Sequence, residues 1–347
     1  MPTGDIPAQA ACALAAGLND RLQQLLRHAP ASRETLVIGA ALAARLGDWR
    51  TARRKLNATF AIDGMTAPLN ESVEGEIGLG SFGEGDSIDP RERTGGADRP
   101  RISIVVPARN AQGTLGLAVR SLLKQTWQNL EILIVDDRST DRTLDIAWDL
   151  ARADPRTKVV SNRRTPGPFG ARNSGVDAVS GEFIAFHDAD DWAHPQRLEW
   201  QMRALGRREG LSVTRYFRLD DSGQPVSPRV FPLVRLSPIA MVVRAEAWRA
   251  AGSFEEVPLG ADSEWLARFD ERFGRRRAAR MRAVCMVARW AAGSLSASPT
   301  TGMEGEGRMR RIRYETDWRW RHAGVAGAPG AKGQPRPSAF ASFAGAV

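Results

Sequence analysis

The sequence predicts an α/β fold: a mostly parallel sheet with helices on both faces, preceded by an all-α N-terminal segment. Short apolar, β-branched runs alternate with helical patterns over residues 101–186, which is typical of parallel strands joined by helical crossovers. Residues 8–62 show helical periodicity alone. A chain of 347 residues with 42% hydrophobic content can bury at least one large core. We therefore expect a globular protein with room for a cleft.

The first 69 residues form the predicted helical region. Its segment ALAARLGDWRTARRKLNATFAIDG pairs two amphipathic runs around Gly47 and resembles one unit of a tetratricopeptide-type helical hairpin. One hairpin cannot bury its apolar face alone, so we expect it to pack on the rest of the chain or on a protein partner. The alternative is a helical cap without a role in recognition.

Two other segments are predicted to be flexible. Residues 70–99 are rich in glycine and charge and have no sustained periodicity, which is typical of a linker. Residues 323–347 are dominated by Ala, Gly and Pro, which predicts a disordered tail. The segment between them, residues 100–322, is the predicted main domain.

The strands and helices of this domain follow one another in a regular order. The first strand lies in RISIVVPARN, ends at Pro107 and is followed by the helical pattern TLGLAVRSLLKQT. The second strand, LEILIVDD, precedes the helix STDRTLDIAWDLARA, whose predicted cap is Ser139 or Thr140. The strand TKVVS, the helix GPFGARNSGVDAVS and a fourth strand, EFIAFHD, complete the series.

Candidate ligand-binding residues follow three of these strands. In parallel sheets, ligands bind at the carboxyl ends of the strands, and we expect one crevice to hold Pro107 with Ala108, Asp136 with Asp137, and Asp188 with Asp190. Two carboxylates separated by one residue on such a loop can hold Mg²⁺ or Mn²⁺, so the last pair is a candidate metal site. The alternative is a solvated acidic turn.

Two further residue types fit a nucleotide ligand. Asp136 and Asp137 could accept hydrogen bonds from a nucleoside, because an ionised carboxylate is only an acceptor; the alternative is an N-cap region. Arg172, in GARNSG on the third helix, could bind a phosphate. Its alternative role is that of an ordinary surface arginine in an arginine-rich chain.

Four motifs in order carry a family resemblance. ISIVVPARN, LEILIVDDRSTDRT, GPFGARNSG and FHDADDWAHPQRLE resemble the signature of family-2 glycosyltransferases with the GT-A fold, strongly over residues 101–206 and more faintly to His322. The resemblance implies a nucleotide-diphosphate-sugar donor, a UDP-sugar by family habit, together with a divalent metal and inversion at the anomeric carbon. It further implies a nucleotide-sugar half over residues 100–210 and an acceptor half over residues 211–322.

The resemblance also implies individual roles. Pro107 and Asp137 would contact the nucleoside, and Arg172 would contact the donor. Asp188 would contact the sugar or ribose, and Asp190 would be the principal metal ligand.

The acceptor half is expected to supply the catalytic base. The segment EAWRAAGSFEEVPLGADSEWLARF is similar to the region of the family that carries this carboxylate. Asp262 is the predicted general base and Glu264 the second choice, although many relatives have Glu-Asp where this chain has Ala261 and Asp262. The alternative for Asp262 is that it only caps the helix SEWLARF.

Charge and apolar patterning restrict the partners. A net charge of +9 favours anionic partners, which include an anionic membrane surface, but only two tyrosines and no recognition module argue against nucleic acid. No apolar run approaches the length of a bilayer span, and the first residues lack a secretion signal. We expect a cytoplasmic protein, at most peripheral to the inner face of a membrane.

Three functional hypotheses follow. The favoured one is transfer of a single sugar to a glycan, lipid-linked or protein acceptor in cell-surface polysaccharide assembly, since the Q-x-x-R-W signature of processive synthases is missing. A sugar-phosphate nucleotidyltransferase is disfavoured, because PARNAQGT has too few glycines for its phosphate loop. A non-catalytic scaffold acting through the N-terminal helices remains open, and metal with nucleotide diphosphate would not stabilise it.

Overall fold

The computed structural model describes residues 5–83, 99–292, 294–295, 297–298, 300–303 and 305–324. The helices in these ranges are α1 (Ile6–Ala15), α2 (Asn19–His28), α3 (Arg33–Arg45), α4 (Trp49–Ala61), α5 (Leu115–Leu123), α6 (Thr143–Ala153), α7 (Pro168–Val176), α8 (Arg197–Ala204), α9 (Ala245–Ala251), α10 (Ala261–Phe273) and α11 (Gly305–His322). The strands are β1 (Ile102–Ala108), β2 (Leu130–Asp136), β3 (Thr157–Ser161), β4 (Phe183–Phe186), β5 (Trp192–Ala193), β6 (Leu211–Asp220), β7 (Pro225–Val226), β8 (Arg235–Arg244) and β9 (Ala278–Trp290).

One sheet organises the protein, and its first half is the predicted parallel sheet. The strand order is β3-β2-β1-β4-β8-β6-β9-β5, with β7 paired to β6. Strands β3, β2, β1 and β4 are parallel neighbours, whereas β8 runs antiparallel to both β4 and β6. The α/β class is therefore confirmed, and the strands from β8 onward add a mixed half to the sheet.

Helices cover both faces of the parallel strands. Along β1, Ile104 and Val106 pack into a core with residues of α5, α6 and α8, whereas Val105 packs into a second core with residues of α7, α9 and α10. Successive side chains of a strand point to opposite faces, and because both faces are covered the strand is apolar apart from the buried Ser103. The polar residues that follow these strands are thereby left at the edge of the sheet.

The N-terminal helices form two hairpins: α3 with α4 packs on the second half of the sheet, and α1 with α2 packs on α3. Phe60 of α4 lies 6.2 Å from the rings of both Trp192 and Phe217, measured between ring centroids. The carboxylate of Glu34 accepts hydrogen bonds from the backbone N–H groups of Leu233 and Val234. The apolar faces of the helices are thus buried against the chain itself.

The start of the predicted flexible linker is packed. Within residues 70–83, Ile77 and Phe82 are buried, and the buried Arg53 guanidinium donates to the carbonyls of Gly75 and Glu76 at 2.6 and 3.2 Å. These contacts fix a segment whose composition is otherwise that of a linker. The rest of the predicted linker, residues 84–98, and residues 325–347 of the predicted tail lie outside the described residues. In the part that the structure describes, no helix combines the length and apolar character of a membrane span.

Candidate active site

The carboxyl ends of β1 and β2 lie side by side and bring the first predicted residues together. The strand register pairs Pro107 with Val135 and Ala108 with Asp136. The backbone N–H of Asp137 donates to the carbonyl of Ala108 at 2.8 Å. The predicted nucleoside contacts therefore share one edge of the sheet.

The two aspartates that end β2 have different surroundings. Asp137 is buried, and its two carboxylate oxygens accept from the Asn162 amide at 2.6 Å and the Gly167 N–H at 2.8 Å. Asp136 accepts from the Ser139 N–H at 3.4 Å through Oδ2, whereas its Oδ1 is buried without a hydrogen-bond partner. A buried carboxylate oxygen without a partner is costly. Asp136 thus has an acceptor free for a ligand, while Asp137 holds the loop before α7.

Arg172 connects α7 to the acidic loop, which is the segment of residues 187–191 between β4 and β5. It lies on α7, is buried, and forms an ion pair with Asp188 just beyond β4. Its guanidinium carbon is 5.0 Å from the ring centroid of Phe169, and its Nε is buried without a hydrogen-bond partner. Arg172 is therefore not a solvated surface arginine, and it retains one donor for a ligand.

The carboxylates of the acidic loop repel one another. Burial and the charge of Asp188 raise the pKa of Asp190 to about 6. Burial and the charge of Asp190 raise the pKa of Asp191 as well, although Asp191 accepts a hydrogen bond from the Arg289 N–H of β9 at 3.1 Å. Burial together with like charges thus disfavours the ionised forms of Asp190 and Asp191.

This donor set fits a divalent cation. Among the described residues, no group of three or more His, Cys, Asp or Glu side chains has the arrangement of a complete metal site. Mg²⁺ commonly binds through one or two carboxylates, with water and substrate phosphates completing its shell. Asp190, with Asp188 as its neighbour, supplies that number of carboxylates, and a cation there would remove the repulsion that raises the pKa of Asp190.

His187 holds the acidic loop through a buried, neutral imidazole. Its Nε2 lies 3.2 Å from the Asp191 carbonyl, which matches an N–H donor, and its Nδ1 accepts from Arg197 at 3.1 Å. Burial, followed by the charge of Arg197, lowers the pKa of His187 to about 3. The imidazole is therefore a packed structural group that orients the acidic loop.

Asn173 connects the two predicted halves of the main domain. The side chain of this α7 residue donates to the Phe254 carbonyl at 3.0 Å and accepts from the Phe254 N–H at 3.1 Å. Phe254 precedes α10, the helix that carries the two predicted bases. A single amide thus fixes the start of the acceptor segment against the helix of Arg172.

The charge of Asp262 is coupled to the ion pair of the first half, whereas Glu264 is held by Arg268 and His322. Burial raises the pKa of Asp262, the charge of Arg172 opposes this rise, and the charge of Asp188 adds to it. These couplings place Asp262 close to the ion pair of the first half. Glu264 is buried against Arg268, which contacts its two oxygens at 2.9 Å each, and His322 approaches at 3.1 Å. Gly260 occupies the N-cap position of α10, and no side-chain hydrogen bond caps this helix.

Sequence reasoning missed several arginines on the acceptor side. The charges of Arg289 and Arg218 lower the pKa of Asp190, opposing its overall rise, and the charge of Arg311 does the same for Asp262. They come from β9, β6 and α11, and no local pattern marks them in an arginine-rich chain. The only available signal was arginine at positions of otherwise apolar strands, as in RYFRLD.

The comparisons with known proteins identify a family domain. Residues 103–270 match the model of the glycosyl transferase family 2. Over 104 residues the chain is 40% identical to the UDP-Glc:alpha-D-GlcNAc-diphosphoundecaprenol beta-1,3-glucosyltransferase WfgD of Escherichia coli, covering 30% of this chain and 40% of WfgD. Over 93 residues it is 40% identical to the GalNAc(5)-diNAcBac-PP-undecaprenol beta-1,3-glucosyltransferase of Campylobacter jejuni, covering 26% of this chain and 30% of that protein. The chain spans about two fifths of the length of the curated relatives it matches.

Two solved structures are similar to parts of the chain. Staphylococcus aureus TarS 1–349 in complex with UDP-GlcNAc is 19% identical, with a TM-score of 0.47 over 56% of this chain and 60% of TarS 1–349. The mannosyltransferase PcManGT from Pyrobaculum calidifontis in complex with GDP-Man and Mn²⁺ is 18% identical, with a TM-score of 0.45 over 72% of this chain and 80% of PcManGT.

Proposed function

Because residues 103–270 form a glycosyl transferase family 2 domain, we propose that the protein transfers one sugar, with inversion, from a nucleotide-diphosphate donor to an acceptor hydroxyl. The observation that carries the proposal is the electrostatic coupling of four groups: Arg172 pairs with Asp188, Asp188 raises the pKa of Asp190, and both Arg172 and Asp188 act on Asp262. A nucleotide sugar and a divalent cation supply the opposite charges. The acceptor is a glycan, lipid-linked or protein hydroxyl in cell-surface polysaccharide assembly.

The donor's nucleoside is assigned to the ends of β1 and β2. Pro107 and Ala108 form one wall, and the unpartnered Oδ1 of Asp136 accepts from a ring N–H or a ribose hydroxyl. Asp137, first predicted for this contact, instead fixes the loop that presents Arg172. A UDP-sugar is the proposed donor, since WfgD, by its name, uses UDP-Glc.

Asp190 and Asp188 are the proposed holders of Mg²⁺ or Mn²⁺. A bound divalent cation stabilises the negative charge that develops on the leaving diphosphate. Arg172, with its free Nε–H, supports the same charge and keeps Asp188 in place. His187 and Arg289 orient the loop, so its carboxylates are positioned before the donor arrives.

Asp262 is the proposed general base. Its raised pKa makes it a better proton acceptor than a solvated aspartate, and base assistance of this kind contributes about 10²–10⁴-fold in rate. Asp262 takes the proton of the acceptor hydroxyl as the hydroxyl oxygen attacks the anomeric carbon and the bond to the diphosphate breaks. A single displacement of this kind inverts the configuration.

The exposed side of α11 is the proposed contact with the inner surface of an anionic membrane. Met309, Ile312 and Trp320 are exposed on this face, 52%, 43% and 51% respectively, and the exposed Arg308 and Arg313 flank them. An exposed apolar stripe beside arginines suits an anionic lipid surface. Both named relatives act, by their names, on undecaprenol-linked sugars.

Vesicle co-sedimentation tests the membrane contact. We expect binding to vesicles containing phosphatidylglycerol and none to pure phosphatidylcholine, with a loss of binding in Trp320→Ser. The matched control is Trp148→Ser, which removes another exposed tryptophan, 47% accessible, from α6. Equal binding by the two variants would contradict the assignment to α11.

The proposed function is tested by a panel of nucleotide sugars and nucleotide diphosphates, measured by thermal unfolding with and without Mn²⁺. A ligand at about 100 times its dissociation constant stabilises the folded protein by roughly 2.7 kcal/mol. We expect such stabilisation with one nucleotide class and only with the cation, followed by donor turnover. A protein that no nucleotide stabilises would instead be the non-catalytic scaffold.

A further inference from the structure

Four arginines of the acceptor half form a second cationic cluster beside the proposed site; we call it the guanidinium cluster. Its members are Arg218 of β6, Arg229 of the loop after β7, Arg235 of β8 and Arg311 of α11. Strand pairing places Arg235 opposite Tyr216. The cluster therefore draws on three separate elements and a loop that converge on the acceptor side.

Arg218 and Arg311 are held by neutral groups, and the charges of Arg218 and Arg229 both act on Arg311. The guanidinium carbon of Arg218 lies 5.3 Å from the ring centroid of Tyr216 and 5.2 Å from that of Trp290. Arg311 donates through Nε to the carbonyls of Thr301 and Gly302 at 3.0 and 3.2 Å. Aromatic rings and carbonyls hold these cations without neutralising them.

The members of the guanidinium cluster make no direct ion pair within the part of the chain that the structure describes. Arg289, a neighbour on β9, pairs with Asp221 at 2.7 Å, but none of the four cluster members forms an ion pair with a residue that the structure describes. Nε of Arg218 and Nη1 of Arg235 are buried and have no hydrogen-bond partner. Burial, and then the charges of Arg229 and Arg218, lower the pKa of Arg235. Because arginine does not deprotonate in proteins, such a cluster favours a bound anion.

The position of the cluster indicates which anion it binds. The charge of Arg218 acts on Asp190, and that of Arg311 acts on Asp262, so the cluster extends from the proposed metal ligand to the proposed base. The donor's diphosphate is assigned to residues of the first half, whereas every cluster member belongs to the second half. A carboxylate is satisfied by one guanidinium fork, whereas a diphosphate presents acceptor oxygens to several.

We propose that the guanidinium cluster binds a phosphoryl group of the acceptor, so that the attacked hydroxyl belongs to a sugar carried on a phosphate or diphosphate. The proposal rests on the proposed function, because it assigns the acceptor of the same reaction. Phosphoryl binding would place the acceptor hydroxyl near Asp262 and would favour phosphate-linked acceptors over neutral glycans.

Calorimetry with inorganic pyrophosphate and farnesyl diphosphate tests the proposal. Each probe is titrated at 150 mM salt into the protein saturated with UDP and Mn²⁺, and UDP affinity is measured separately. We expect both probes to bind and Arg235→Gln or Arg311→Gln to weaken them roughly 10- to 100-fold, the usual effect of losing a charge-assisted hydrogen bond. UDP affinity should change less than about twofold. Binding of pyrophosphate alone would assign free phosphates, not a lipid headgroup, to the cluster and would overturn the acceptor assignment.

The controls separate this proposal from the proposed function. Arg276→Gln, which removes an exposed arginine, should leave all affinities unchanged, and thermal unfolding identifies any variant that fails to fold. Weaker UDP binding in Arg235→Gln would assign the cluster to the donor, and unchanged pyrophosphate binding would exclude a phosphoryl site; either result overturns the proposal. If wild-type protein binds pyrophosphate but no nucleotide, the proposed function fails while the anion site stands.

Discussion

Replacing Asp190 by Asn should stabilise the ligand-free protein at pH 8 and abolish its metal-dependent binding of nucleotide. Burial and the charge of Asp188 raise the pKa of Asp190 from 3.8 to about 6 in the folded protein. A shift of two pKa units corresponds to about 3 kcal/mol between the two protonation states. Because the neighbouring side chains can relax, we expect a gain of about 1–3 kcal/mol.

The sign of the effect depends on pH. The folded protein holds the Asp190 proton more tightly than the unfolded chain does, so this proton contributes its full stability below pH 3.8 and loses it as the pH rises through about 6. Above that range the wild type carries a buried charge that Asn lacks. The difference between variant and wild type should therefore be small at pH 4 and reach its maximum by about pH 7–8.

Urea unfolding from pH 4 to pH 8 in the presence of a chelator measures this difference. Asp149→Asn is the matched control, because this side chain is 69% exposed and its ion pair with Arg152 lies at the surface. Mn²⁺ with UDP should then stabilise the wild type and not Asp190→Asn. A variant less stable than wild type at pH 8, or a difference that is the same at every pH, would refute the reasoning.

Three further predictions concern the remaining carboxylates. Asp262→Asn should lower the rate of transfer by about 10²–10⁴-fold while donor affinity changes little, as measured by turnover and calorimetry; unchanged turnover would exclude it as the base. Glu264→Gln should lower the free energy of unfolding, measured in urea, by about 3 kcal/mol, because it leaves the Arg268 guanidinium without its buried carboxylate partner. The folded fraction of this variant should keep the wild-type turnover number. Asp136→Ala should weaken UDP binding roughly tenfold or more. Asp137→Ala should mainly lower the unfolding temperature, because it leaves the Asn162 amide and the Gly167 N–H without this acceptor. The opposite pattern would reverse the roles of these two residues.

The sequence by itself determined the parallel half of the sheet and the location of the site. Apolar runs alternating with helical patterns specify βα units, and the right-handed crossover of such units brings the carboxyl ends of their strands to one edge. Residues that follow those strands, such as Ala108, Asp136 and Asp188, therefore converge whatever the details of packing. Four motifs in a fixed order also predicted the family whose model matches residues 103–270.

Only the tertiary structure distinguished between neighbouring residues of the same type. Asp262 and Glu264 are two positions apart on a helix, a rotation of about 200°, so the charge of Asp262 is coupled to Arg172 and Asp188 while Glu264 is buried against Arg268. Asp136 and Asp137 end the same strand, yet the fold of the following loop engages both oxygens of Asp137 and leaves one oxygen of Asp136 free.

Contacts between residues distant in sequence determined the two features that no sequence pattern predicted. The packed segment at residues 70–83 and the guanidinium cluster depend on side chains that are distant in sequence, as when Arg235 lies opposite Tyr216 and the charge of Arg311 acts on Asp262. Periodicity and motifs report only local conformation, because the free energy of such contacts is set by which surfaces the whole chain brings together. The sequence thus specified the edge of the sheet to which we assign the ligand, and the packing of distant segments decided which charges lie near that edge.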